Sequence, residues 1–99
     1  MRMRTDPRRV TTLPPDVHQT LTQLLDSAGD AVDRGEFQTA RESVETAAVV
    51  TANKVPPGET KKRLEHGFRE LEPLLADEPV VAREYLRLVR ETVEECEVG

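Results

Sequence analysis

The residues able to do chemistry in this sequence are few and scattered. Cys96 is the single thiol, and His18 and His66 are the two histidines. A metal site needs several Cys, His or carboxylate ligands at a matching spacing. Neither histidine has another His or Cys so placed, and Glu65-His66 is an ordinary pair in an acidic helix. Ser27 and Ser43 have no nearby histidine to serve as a base, so a nucleophilic triad finds no support. Glu42, Glu45, Glu70, Glu72, Glu91, Glu94 and Glu95 fall mostly on polar faces, whereas catalytic carboxylates need a cleft that perturbs them. The run from Pro56 to Thr60 holds one glycine and no Gly-Lys-Ser/Thr, so it is no phosphate loop. Glu94 and Glu95 beside Cys96 disfavour a thiolate. The expectation is a chain without catalytic residues, metal or cofactor.

Two basic groupings invite a binding reading. Lys61, Lys62 and Arg63 stand together, and Arg83, Arg87 and Arg90 recur along one helical stretch. Such a stripe could hold phosphates or an acidic partner. The competing expectation is local pairing, Arg87 with Glu91 and Arg90 with Glu94, at i,i+4 spacing. A third basic group lies in residues 1–10, where four arginines stand against Asp6, a net +3. The chain as a whole carries −5, so −8 falls on the rest. That body repels nucleic acid and anionic lipid over most of its surface.

The elements that must position these groups are helical. Ninety-nine residues suit one domain with a modest core. No stretch is apolar enough to span a membrane, and the charged N-terminus carries no secretory signal. The lone cysteine suits a reducing cytoplasm. Residues 1–13 show no pattern and are expected to form a disordered basic arm, either a leader or the product of a start codon placed too early. Residues 14–97 are expected to form one helical bundle domain.

Within it, Val17, Leu21, Leu24, Leu25, Ala28 and Val32 share one helical face from about Pro15 to Arg34. Pro14-Pro15 opens that helix and Gly35 closes it. Gly29, inside it, suggests close approach of a neighbouring helix. Phe37, Ala40, Val44, Ala47, Ala48 and Thr51 form a second face to about Asn53, and the short link predicts an antiparallel hairpin. Pro56-Pro57-Gly58 breaks the chain. Leu64, Phe68, Leu71 and Leu75 mark a third helix, with a kink or an early end near Leu71 imposed by Pro73. The fourth is expected to open with Asp77 as N-cap and Pro79 in its first turn. Its stripe is read as Val81, Tyr85, Leu88, Val89, Thr92 and Cys96, with Val80, Leu86 and Val93 beside it. That face is wider than one seam requires, which points to a second contact.

The segment from Asp30 to Ala47, DAVDRGEFQTARESVETA, resembles the hairpins of helical-repeat and helical-adaptor proteins, with Gly35, Phe37 and Ala40 closing a tight turn. No second copy occurs at a repeat period. Eleven arginines against three lysines, with twelve valines, ten threonines and nineteen acidic residues, make the chain similar to short uncharacterised helical proteins of haloarchaea, a family type of unknown function. The resemblance implies no activity.

The resulting expectation is an all-α, antiparallel four-helix bundle of two hairpins. Its function is read as a non-enzymatic, cytoplasmic interaction or adaptor module, self-associating as a homodimer or binding a protein partner. Val81, Tyr85, Leu88 and Val89, with Arg83, Arg87 and Arg90, would form the contact. The alternative is a nucleic-acid-associated regulator that uses the Arg-rich arm and Lys61 to Arg63.

Overall fold

A computed structural model describes residues 11–99. The chain is mostly helical, and the first helix forms as its pattern dictates. Helix α1 spans Pro15–Asp33 with Pro15 in its first turn and Asp16 beside it. It buries Val17, Leu21, Leu25, Ala28, Ala31 and Val32. Leu24 is only half-buried. Gly35 takes φ +73°, a left-handed conformation that favours glycine. The backbone N–H of Gly35 donates to Val32 O at 3.0 Å, and that of Glu36 to Ala31 O at 2.8 Å. These two bonds satisfy carbonyls that a helix end would otherwise leave open, and they turn the chain back on itself.

Helix α2, Phe37–Lys54, packs against α1 through small residues, with Ala40, Val44, Ala47 and Thr51 buried. The Thr51 hydroxyl finds no hydrogen-bond partner among the described residues. Val55 is buried where the chain turns, and Gly58, at φ +149°, precedes helix α3, Glu59–Leu71. Pro73 ends α3 as expected of a residue without an N–H. A separate short helix follows, α4, Leu74–Asp77, with Leu75 buried. Asp77 is not the N-cap of the next helix. It belongs to the last turn of α4, where Glu78 N–H donates to Leu74 O at 2.8 Å. Glu78 is the cap of helix α5, Pro79–Glu94, and makes no side-chain capping bond. Its extended φ of −142° is the conformation a following proline favours.

Helices α1 and α3 each pack against both α2 and α5, and α4 lies against α5 and α2. One core of aliphatic side chains, with Phe68, fills the space between them. The buried face of α5 is Ala82, Leu86, Val89 and Val93. The stripe read from the sequence is therefore rotated: Val81 is 41% exposed and Leu88 56%. Leu86 and Val93, expected as flanking residues, are core.

Residues 11–13 of the expected arm fall within the described residues. Thr12–Leu13 form strand β1, which pairs in parallel with strand β2, Glu97–Val98. Glu97 N–H donates to Thr11 O at 2.9 Å and Gly99 N–H to Leu13 O at 3.1 Å. Leu13 is fully buried, so this short pairing plugs one end of the core. The remainder of the expected arm, residues 1–10, lies outside the described residues. No helix among the described residues is long and apolar enough to cross a membrane.

Candidate interaction groove between α3 and α5

Gly67 decides how closely α3 and α5 approach. A Cβ at that position would stand 2.8 Å from Val89 Cγ2, nearer than carbon atoms tolerate. The absent side chain lets Val89 reach the α3 backbone. Beside this contact an open groove of about 340 Å³ lies between the two helices. Gly67 and Val89 form its floor. Tyr85, Leu88 and Thr92 line the α5 wall, and Lys62, Arg63 and His66 the α3 wall. Every charged group that lines it is basic, on a chain whose net charge is −5.

The groove joins residues that the sequence presents separately. Tyr85 and Leu88 share it with Lys62 and Arg63. Val81 lies two helical turns before Leu88 on the same exposed line of α5, and Val89, 5% exposed, belongs to the core and to the groove floor. The third member of the basic cluster is engaged elsewhere: Lys61 Nζ donates to Ala52 O at 2.9 Å, a carbonyl near the negative end of the α2 dipole.

The arginines of α5 turn the other way, toward α1. Arg83 Nε donates to Asp33 Oδ1 at 3.1 Å. Arg90 Nε stands 2.8 Å from Asp26 Oδ1, and its Nη1 3.0 Å from Glu94 Oε2. Arg87 pairs with Glu84 at 2.9 Å, one turn back, and not with Glu91. The Arg90–Glu94 pair forms as the spacing suggests. Each of these pairs is solvent-exposed, and such pairs contribute about 0–1 kcal/mol. Arg83 and Arg90 thus tie α5 to α1, Arg87 pairs within α5, and all three lie outside the groove.

Sequence reasoning missed Gly67 as the residue that shapes this site. Its signal was a glycine inside an otherwise periodic helix. Gly29 carried the same signal, and what approaches it is no helix backbone but the Arg83 guanidinium, 2.9 Å from where a Cβ would stand. Cys96 is buried at the end of α5. Burial, and secondly the Glu95 carboxylate beside it, raises its thiol above the ordinary value, so the sulfur is held protonated.

A second groove, of about 370 Å³, lies across α3, between α2 and α3. Val44, Ala48, Val49 and Phe68 make it apolar, and Glu45, Glu65 and Glu72 stand around it with Arg69. Helix α3 therefore divides a basic-walled groove from a mainly acidic one.

No curated protein and no solved structure matches this chain. The family model of a domain of unknown function, DUF8101, matches residues 7–95. That span takes in all five helices and β1, and the chain belongs to this family.

Proposed function

We propose that this protein is a non-enzymatic, cytoplasmic interaction module that self-associates through the face formed by α3 and α5. Its scaffold, on this reading, is an antiparallel four-helix bundle in the ring order α1, α2, α3, α5, with α4 as a strap. One observation carries the reading: Val81 and Leu88 stand open to solvent beside an apolar-floored groove with one basic wall. Solvent-exposed aliphatic residues next to such a groove are the composition of a docking surface. The Arg-over-Lys usage and acidic body support an origin in a salt-loving archaeon.

Light scattering across protein concentration, with circular dichroism as the fold control, tests the proposal. The wild-type chain runs heavier than a monomer, and Leu88→Glu runs as a folded monomer. Leu88 is exposed, so a charge there leaves the core intact. A wild-type chain that stays monomeric at every concentration refutes self-association.

A second reading is favoured by one contact. Thr11 Oγ1 donates to Thr60 Oγ1 at 2.7 Å, so the residue that follows the Arg-rich stretch in the sequence is held at the start of α3, which carries Lys61, Lys62 and Arg63. A nucleic-acid-associated regulator would use this concentration of positive charge. Its binding to duplex or single-stranded probes would weaken steeply with salt and vanish on deletion of residues 1–10. Unchanged anisotropy of both probes at low salt removes this reading.

A further inference from the structure

We infer that two copies of this chain associate about a two-fold axis running along α5, so that Lys62 and Arg63 of each copy lie over Glu91 and Glu95 of the other. The inference rests on the self-association proposed above and adds its geometry. It begins with the order of residues around α5. At about 100° per residue, Val81 and Leu88 share one line on the solvent side of the helix, toward α3, and both are exposed. On one side of that line lies the groove, with Lys62 and Arg63 on its far wall. On the other side lie Glu91 and Glu95, both exposed. Glu84 shares that side but is held by Arg87 at 2.9 Å. The apolar line therefore has a basic border on α3 and an acidic border on α5 itself.

The two borders stand level with each other. Val89 sits against Gly67. The start of α3 and the end of α5 meet at Thr11, whose hydroxyl donates to Thr60 and whose carbonyl accepts from Glu97. Moving back along α3 from Gly67 to Arg63 and Lys62 is therefore moving forward along α5 from Val89, into the stretch between Glu91 and Glu95.

Two copies can face each other across this line in two symmetric ways. A two-fold along the line keeps the levels and exchanges the borders, so basic meets acidic twice. A two-fold across the line reverses α5 and sets basic on basic and acidic on acidic. Like-charge juxtaposition suppresses association, and complementary charge steers it. A chain of net −5 opposes its own copy overall, so the crossing of the borders selects the parallel arrangement.

The test reverses each border. Lys62→Glu with Arg63→Glu, and separately Glu91→Lys with Glu95→Lys, are each expected to self-associate about tenfold or more weakly at low salt. An equimolar mixture of the two variants is expected to form a heterodimer at wild-type strength, because every contact in it is again complementary. Sedimentation reads all three. Single-cysteine probes give an independent reading. Under the parallel two-fold, Val81→Cys and Leu88→Cys each form a disulfide with their own kind, and peptide mapping separates these from the buried Cys96. The two positions lie about 10 Å apart along the helix, beyond disulfide reach. Under the reversed two-fold, the mixed disulfide joining position 81 of one copy to position 88 of the other would form instead. Reversal of the basic border that leaves self-association unchanged, or mixed disulfides alone, overturns the orientation while leaving self-association standing. A monomeric wild-type chain overturns both.

Discussion

The two helical glycines look alike in the sequence and differ in what stands over them. At Gly67 the obstacle is Val89 Cγ2, a branched core side chain packed between helices. At Gly29 it is the end of the Arg83 side chain, which can swing into water. Alanine improves helix propensity at either position by about 1 kcal/mol. Gly67→Ala nevertheless overpacks the α3–α5 contact, at a cost of about 1–3 kcal/mol, and is expected to lower stability and to deform the groove. Gly29→Ala displaces one exposed ion pair of about 0–1 kcal/mol and is expected to be neutral or stabilising. Urea denaturation of both variants checks the contrast. Equal destabilisation would show that Arg83 is as fixed as Val89.

Cys96 gives a second prediction at this scale. Burial and Glu95 favour the protonated thiol in the fold, so the folded chain holds that proton more tightly than the unfolded one. The stability from this group is full below the pH at which a free thiol titrates, and is lost as pH rises through the raised folded value. Alkylation of Cys96 is accordingly expected to be slow at neutral pH and to accelerate on denaturation. Glu95→Gln is expected to raise the rate only slightly, because burial is the larger cause. A fast-reacting native thiol would contradict the burial.

At the scale of elements, legibility follows the number of ways a pattern can be satisfied. Helix α1 offers one apolar face between two strong breakers, and that face is buried. Helix α5 offers two. Val81, Tyr85, Leu88 and Thr92 make one stripe, and Ala82, Leu86, Val89 and Val93 another, rotated by one residue. Hydropathy is higher in the second, because Tyr85 and Thr92 in the first carry hydroxyls, although Ala82 is small. Contact with α1 on one side and α3 on the other decides for the second, and leaves Val81 and Leu88 outside. The exposed pair beside the groove is thus legible in the sequence, while Val89, read with it as a contact residue, belongs to the core. The β1–β2 pairing was illegible because two-residue strands have no period. Gly35 and Pro73 were legible because each acts through its own backbone. The β1–β2 tie yields a prediction of its own. Leu13 is 0% exposed, and removal of a buried leucine to alanine typically costs about 2–5 kcal/mol. Leu13→Ala is expected to lower the denaturation midpoint sharply, although the sequence pattern assigns that residue to an arm. A shift no larger than that of a surface mutation would place β1 outside the cooperative fold.

At the scale of the whole molecule, salt acts on two opposed terms. The exposed pairs Arg83–Asp33, Arg90–Asp26 and Arg87–Glu84 each contribute at most about 1 kcal/mol and weaken as the Debye length falls from about 10 Å at 0.1 M to about 3 Å at 1 M. Against them stands the −8 carried by the body outside residues 1–10, whose self-repulsion destabilises the compact state and is screened by the same ions. Pairing engages only a few of the eighteen carboxylates in that body, so relief of repulsion is the larger effect. Concentrated salts that are excluded from the protein surface also strengthen apolar burial. The melting temperature is therefore expected to rise with KCl. A gain of about 1 kcal/mol would appear as roughly 4–8 °C in a domain of this size. The orientation of the dimer should respond in the opposite sense. Once the contacts of Lys62 and Arg63 with Glu91 and Glu95 are screened, only the Val81 and Leu88 line remains to hold the copies together, and that line is blind to direction. In molar KCl the cysteine probes are expected to show mixed disulfides between positions 81 and 88 alongside the like-with-like ones, while the mass of the assembly is unchanged. Loss of the assembly itself at that salt would mean that charge, and not the apolar line, supplies its affinity.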